Sequence, residues 1–199
     1  MEGRSVGDAD AIADVGDTLA SLLRETASEN TTVALASPAE FDPDTTGLSL
    51  FLYDVSANSH LTNQPPTVTD DDVERDTPLA LELSYLLTAH PSPTDREHDQ
   101  SSSRKDHHRA LGKAMRTFYD NGIVSGAALK GSLGGDDRLH IAMEDRSAED
   151  AIDVWSTFQE TPYLPSVSYA VTPVIIESEH ERAVHPVEDR TFHYEVQDR

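Results

Sequence analysis

The chain has no cysteine among its 199 residues, which excludes disulfide scaffolds, thiolate catalysis and cysteine-ligated zinc or iron–sulfur centres. Lysine is scarce too. Lys105, Lys113 and Lys130 stand beside twelve arginines and 37 carboxylates, for a formal net charge of −22. Affinity for a phosphate backbone rests on Lys and Arg displacing counterions, and the dominant sign here is the wrong one, so no nucleic-acid partner is expected. Long apolar runs are also missing. The longest are a few residues, such as Val174 to Ile176, against the roughly 20 needed to cross a bilayer. The first residues, Met1 to Asp8, show neither the basic start nor the apolar stretch of a secretory signal. A cytoplasmic protein with no membrane partner is expected.

What the chain has in excess is carboxylate, spread along its length rather than gathered at one end. Such an excess with little lysine suits a salt-rich cytosol, where a Debye length of about 3 Å at molar salt screens self-repulsion. The acidic stretch from Asp70 to Asp76 imitates a calcium loop. It lacks the alternating ligand spacing and the turn glycine of such a loop, and reads as a solvated acidic segment.

Periodicity outlines an α/β (α+β) domain. Ile12, Val15, Leu19, Leu22 and Leu23 recur at helical spacing and predict an amphipathic helix between Asp8 and Arg24. Thr31 to Ala36 predicts a strand that ends at Ser37-Pro38, and Phe41 to Gly47 predicts a loop. Leu48 to Val55 is apolar on both alternating faces, as a central strand covered on two sides requires. The stretch Ala57 to Thr77 predicts a long loop. Leu79 to Leu87 predicts a strand with Leu79, Leu81, Leu83, Tyr85 and Leu87 inward, periodicity outweighing the helix propensity of Leu, Ala and Glu. Pro91 to Asp106 is expected to be exposed and mobile. A helix capped by Asp106 follows, with Leu111, Met115, Phe118 and Tyr119 as its buried stripe and Asn121-Gly122 as its stop. A glycine-rich loop, Gly126 to Asp137, leads to a strand at Leu139, Ile141 and Met143. Ser147-Ala148-Glu149-Asp150 matches a capping box opening a helix through Ile152, Val154, Trp155 and Phe158. Val167 to Glu177 is the last core strand, with Pro173 at an edge or a bulge. Residues 1–178 are expected to form the domain and 179–199 a polar arm, whose one alternating segment runs from Thr191 to Val196.

Chemistry is hard to find in this sequence. His90, His98, His107 and His108 cluster around one segment but lack the His-Glu-x-x-His spacing that sets two imidazoles on one helical face; they read as solvated surface histidines, with no metal site. Ser49 lies in Gly47-Leu48-Ser49-Leu50-Phe51, which lacks the second glycine of a nucleophile elbow and enters a strand instead of leaving one. Gly131, Gly134 and Gly135 lack the Lys-Ser/Thr ending of a phosphate-binding loop and precede a strand, so a flexible loop is expected there. No catalytic residue, metal or cofactor is predicted from the residues.

Several stretches together resemble one family. They are Ile12 to Val15 with Leu19, Leu22 and Leu23; Leu50 to Asn58, including Leu52, Tyr53 and Asn58, with Leu61 and Asn63; Pro78 to Ala89, including Leu83 and Tyr85; Leu111-Gly112-Lys113-Ala114-Met115; Trp155-Ser156; and Leu164 to Tyr169, including Pro165, Ser166 and Tyr169. In this order they are similar to the N-terminal domain of the cap, or tail-terminator, proteins of phage-tail-like contractile injection systems. The resemblance covers most of residues 8–178. It implies a single mixed β-sheet flanked by helices and a structural, non-enzymatic role: a homohexameric ring that ends the inner tube and contacts the last sheath layer, with tube and sheath proteins as partners, in a particle released from the cell. A chain edge in such a ring is economically satisfied by an added β-strand. Phe192, Tyr194 and Val196 in the arm, or the Ala57 to Thr77 loop, are the candidate contacts to a neighbour. The acidity, the insertion at 92–106 and the polar tail depart from the family pattern. An acidic adaptor for a basic partner, or a small-molecule enzyme with an unrecognised motif, are the alternative readings.

Overall fold

The structure is a computed structural model and describes residues 9–29, 31–42, 44–61, 67–68, 73–91, 100–158 and 161–183. Helix α1 (Ala11–Thr26) opens the fold and buries Val15, Leu19, Leu22 and Leu23 of the predicted stripe, with Ile12 only partly buried and Ala11 fully buried beside it. Strands β1 (Thr32–Leu35) and β2 (Gly47–Ala57) pair in parallel, which a hairpin cannot do, so the loop at 36–46 crosses over and tucks Phe41 under the sheet end. β2 then pairs antiparallel with β5 (Leu79–His90), which is buried along nearly its whole length.

Helix α2 (Gln100–Asp120) and the short edge strand β6 (Ile123–Ser125) follow. Next come β7 (Arg138–Met143), helix α3 (Ala148–Ser156) and β8 (Ser166–Ile176). The main sheet has six strands in the order β1-β2-β5-β8-β7-β6, all antiparallel except for the β1–β2 pair. A second sheet of β3 (Thr67–Val68), β4 (Val73–Arg75) and β9 (Glu181–Ala183) ties 181–183 to the segment between β2 and β5. Arg182 adds an ion pair to Asp76 at 3.1 Å.

Strand alternation sends the side chains of β2 and β5 to two faces. On one face Leu48, Leu50, Leu83, Tyr85 and Leu87 pack with α1 and α2; on the other, Leu86, Phe51 and Tyr53 pack with Trp155 and Phe158 at α3. Helices therefore flank a single mixed sheet on both faces, as expected.

Several sequence expectations change. The Ala57–Thr77 segment is not one structureless loop, because β3 and β4 occupy part of it. Leu79 is 52% exposed rather than inward: it lies at the end of the sheet where β2 is also exposed, beyond the cover of the helices. α2 begins at Gln100, so Asp106 sits inside the helix and pairs with Arg109 instead of capping it. Its inward face carries His107, Ala114, Thr117 and Phe118, whereas Tyr119 is exposed, since each helix residue turns about 100° from the last and position 119 falls past the edge of the stripe that Ala114, Thr117 and Phe118 fill. Met143 is exposed beside it. β6 is too short to show periodicity. Pro173, by contrast, falls at a bulge as expected: it sits in β8 at the register shift opposite Leu81/Leu83 and just past the last β7 partner, Thr172, so no ladder bond needs its missing N–H.

The glycine loop before β7 is anchored. The Asp14 carboxylate of α1 accepts hydrogen bonds from the Ser132 backbone N–H (2.7 Å) and hydroxyl (2.6 Å), and Thr18 Oγ1 accepts one from the Lys130 N–H. Gly131 is required at the turn: its φ is +62°, and a Cβ there would fall on the Asp14 carboxylate.

Candidate functional site

The residues carrying the family resemblance are mostly seats of the fold. Leu83 and Tyr85 are buried in the main core, where burial pushes the Tyr85 phenol well above its ordinary pKa. Tyr169 is also buried and meets Phe118 edge to face, with ring centroids 4.9 Å apart. Leu52 and Leu111 pack at the margin of this core, and Pro78 and Pro165 are half-buried. Ser166 shares a hydrogen bond with Thr88 at 2.8 Å. Asn58 links the end of β2 to β8 through Thr172 Oγ1 (2.7 Å), while its Oδ1 accepts from the His60 N–H (3.0 Å), an Asx turn that starts the following segment. Gly112 lies on the outer face of α2 with open space where a side chain would be. Asn63, Phe192, Tyr194 and Val196 fall outside the described residues.

On the α3 face, Tyr53 donates a 2.7 Å hydrogen bond to Glu144, and the Arg146 guanidinium lies 4.8 Å from the Tyr53 ring centre while pairing with Glu144 at 3.3 Å. Burial first, then the hydrogen bond to Glu144, raises the Tyr53 pKa. Partial burial works against the Arg146 charge, but Glu144 and the charges around it more than offset this and hold its pKa above the ordinary value. This cluster joins β2 to the β7–α3 turn, where Ser147 and Asp150 form the expected capping box. Trp155 fixes α3 to the sheet, although its indole N–H finds no acceptor among the described residues.

Two of the histidines are not solvated. His90 is buried, stacked on Phe41 at 3.9 Å, and its Nε2 bonds to Ser49 Oγ at 2.8 Å; His107 is buried and its Nε2–H donates to the Ala89 carbonyl. Nothing in their local sequence marks them, because what buries them is β2, Phe41 and the end of β5. The Ser49–His90 pair has the atoms of a hydrolytic dyad, but Ser49 is wholly buried and turns no face towards a substrate. Among the described residues no group of His, Asp or Glu is arranged to hold a metal ion, and no helix is long and apolar enough to cross a membrane.

Burial, partly opposed by the Ala89 hydrogen bond and reinforced by His108, holds the His107 pKa below the usual imidazole value. As pH falls below about 6.5, the unfolded chain takes up this proton before the folded one does, so stability declines through that window. We expect the Tm to fall between pH 7 and pH 5.5, and less steeply in His107→Gln. Equal slopes for the two proteins would show that His107 is not the responsible group.

The surface features suited to contact lie at the two ends of the sheet and on the helices. Between the C-terminal part of α2 and strands β7 and β8, Met115, Tyr119, Ile141, Met143 and Tyr169 line a largely apolar groove of about 580 Å³. At the β1 edge, Ile12, Leu35, Leu50, Leu52 and Tyr85 line another of about 510 Å³. Tyr119 and Met143, 87% and 61% exposed, share the first groove, and Ile123 on β6 is 62% exposed.

This six-stranded mixed sheet with helices on both faces is similar in fold to two solved tube terminators of contractile injection systems. The PVC sheath/tube terminator of an extracellular contractile injection system, in its extended state, matches with a TM-score of 0.68 at 14% identity, over 94% of this chain and 64% of that one. The anti-feeding prophage tube-terminating cap matches with a TM-score of 0.66 at 16% identity, over 92% of this chain and 61% of that one. The chain therefore spans less than two thirds of the length of either. It belongs to the Pvc16 N-terminal domain family, which it matches over residues 14–189. No curated protein matches the sequence.

Proposed function

We propose that the chain is a structural cap of a contractile injection system particle, ending the inner tube and contacting the last sheath layer as a homohexameric ring, without catalysis. The observation that carries this reading is the correspondence of nearly the whole chain to the fold of a sheath/tube terminator, within a family match over residues 14–189. The exposed apolar residues at the ends of the sheet, which a monomer has no need of, support an assembled state. Tube and sheath proteins are the partners; nucleic acid, membrane and cofactors are not. The acidity fits assembly in a high-salt cytosol before the particle is released. Residues 1–178 are the cap domain and 179–199 an arm whose Phe192, Tyr194 and Val196 pair with a neighbouring strand.

The test is particle length. Cells lacking this chain are expected to make tubes of irregular length, and restoring it is expected to give uniform, fully sheathed particles that carry it at one end. Uniform tubes in its absence would overturn the cap reading. Normal particles made with a chain lacking 180–199 would overturn the role of the arm alone.

A further inference from the structure

A third of the cations share one helix. Arg104, Lys105, Arg109, Lys113 and Arg116, five of the fifteen, fall in one helix with only Asp106 and Asp120 as its acids, in a chain of net charge −22. The spacing of four, four and three puts Lys105, Arg109, Lys113 and Arg116 on one exposed stripe of α2, beside the exposed Tyr119. Arg109 and Arg116 have only exposed partners within the helix, and Lys105 and Lys113 have no ion pair among the described residues. Helix α3, on the opposite face of the sheet, has no cation and exposes Glu149 and Asp153 around Ile152, itself 61% exposed; Tyr163, 60% exposed, lies against Trp155 with the rings tilted by 57°.

We propose that the outer face of α2 docks on the outer face of α3 of the next copy of this chain, and that this contact builds the ring. The proposal rests on the cap reading and names its interface. Copies of net charge −22 repel one another to the extent that salt leaves them unscreened, so a contact where the signs are locally opposed favours self-association. A two-fold contact of α2 with α2, or of α3 with α3, opposes like charges. Of the pairings between these two helices, only the unlike one brings cation to carboxylate, and it adds the exposed Tyr119 and Ile152 to the contact. The two faces lie on opposite sides of the sheet, so the contact is head to tail rather than two-fold, and it makes a ring where the rotation from copy to copy closes.

The experiment uses two variants, Lys105→Glu/Arg109→Glu/Lys113→Glu and Glu149→Lys/Asp153→Lys, all at exposed positions. Circular dichroism and Tm confirm that each folds, and sedimentation at several salt concentrations reads assembly. Each variant alone is expected to self-associate at least about tenfold more weakly than the wild type. An equimolar mixture is expected to recover rings with the two variants alternating, as is a single chain carrying all five changes. Wild-type-like assembly by either variant alone, a two-fold dimer as the wild-type species, or failure of both the mixture and the five-fold variant to recover would overturn the interface while leaving the cap reading in place. A wild-type chain that neither forms rings nor joins particles would overturn both. If rings form normally from the α2 variant but no longer join the tube, α2 faces another partner and the proposal fails.

Discussion

Phe118→Ala is expected to destabilise the fold by about 3–5 kcal/mol, a large part of the roughly 5–15 kcal/mol that holds a domain of this size together. Phe118 is 1% exposed and sits where α2 meets the sheet, with its ring against Tyr169 at 75° and Ile141 beside it. Its removal leaves a cavity that the rigid β7–β8 pair cannot close, and loses the edge-to-face contact as well. Urea unfolding at constant salt measures the loss. Tyr119→Ala is the matched control: with Tyr119 87% exposed, the change should stay within about 0.5 kcal/mol. A Phe118→Ala cost near that of Tyr119→Ala would show that α2 is not seated as described. Because α2 carries the basic stripe, Phe118→Ala is also expected to weaken assembly even where the domain remains folded.

Gly47→Ala should be comparably severe for a different reason. Gly47 starts β2 directly opposite Thr32 in the parallel β1 ladder, and a Cβ there would fall on the Thr32 carbonyl oxygen and within 2.7 Å of the Phe41 ring. Neither neighbour gives way easily: one is backbone, the other is held in its stack on His90. We expect a loss of about 3 kcal/mol or more, with amide protection lost first at Thr32–Leu35. The contrast is Gly112→Ala, in the middle of exposed α2 with nothing within 4 Å, which should stabilise by about 0.5–1 kcal/mol. If both glycines tolerate alanine equally, the parallel start of β2 does not approach β1 as described.

How legible each element was depends on how local its cause is. The α1 stripe, the β2 and β5 strands and the Ser147–Asp150 box were readable because periodicity and capping act within a few residues. The choice of strand over helix for Leu79–His90 held because alternation outweighed propensity. The start of α2 was misread because three serines and many charges look like a loop, while the anchor that holds the turn, His107 on the Ala89 carbonyl, comes from another strand. The same non-locality hid the burial of His90, set by Phe41 and Ser49. The anchored glycine loop was also misread, since its partner is Asp14, in the first helix.

By itself the sequence determined the absence of thiol chemistry, the strongly acidic balance, the helix and strand periods, and a family resemblance carried by apolar and turn residues. Those properties are sums over the chain or patterns within one element, and need no partner. Only the tertiary structure decided that Phe118 faces in and Tyr119 out, which histidines lose their water, and that the helix holding a third of the cations lies on one side of the sheet with an acidic helix on the other. Each of these depends on which distant segments share a face, and short-range preferences cannot specify that.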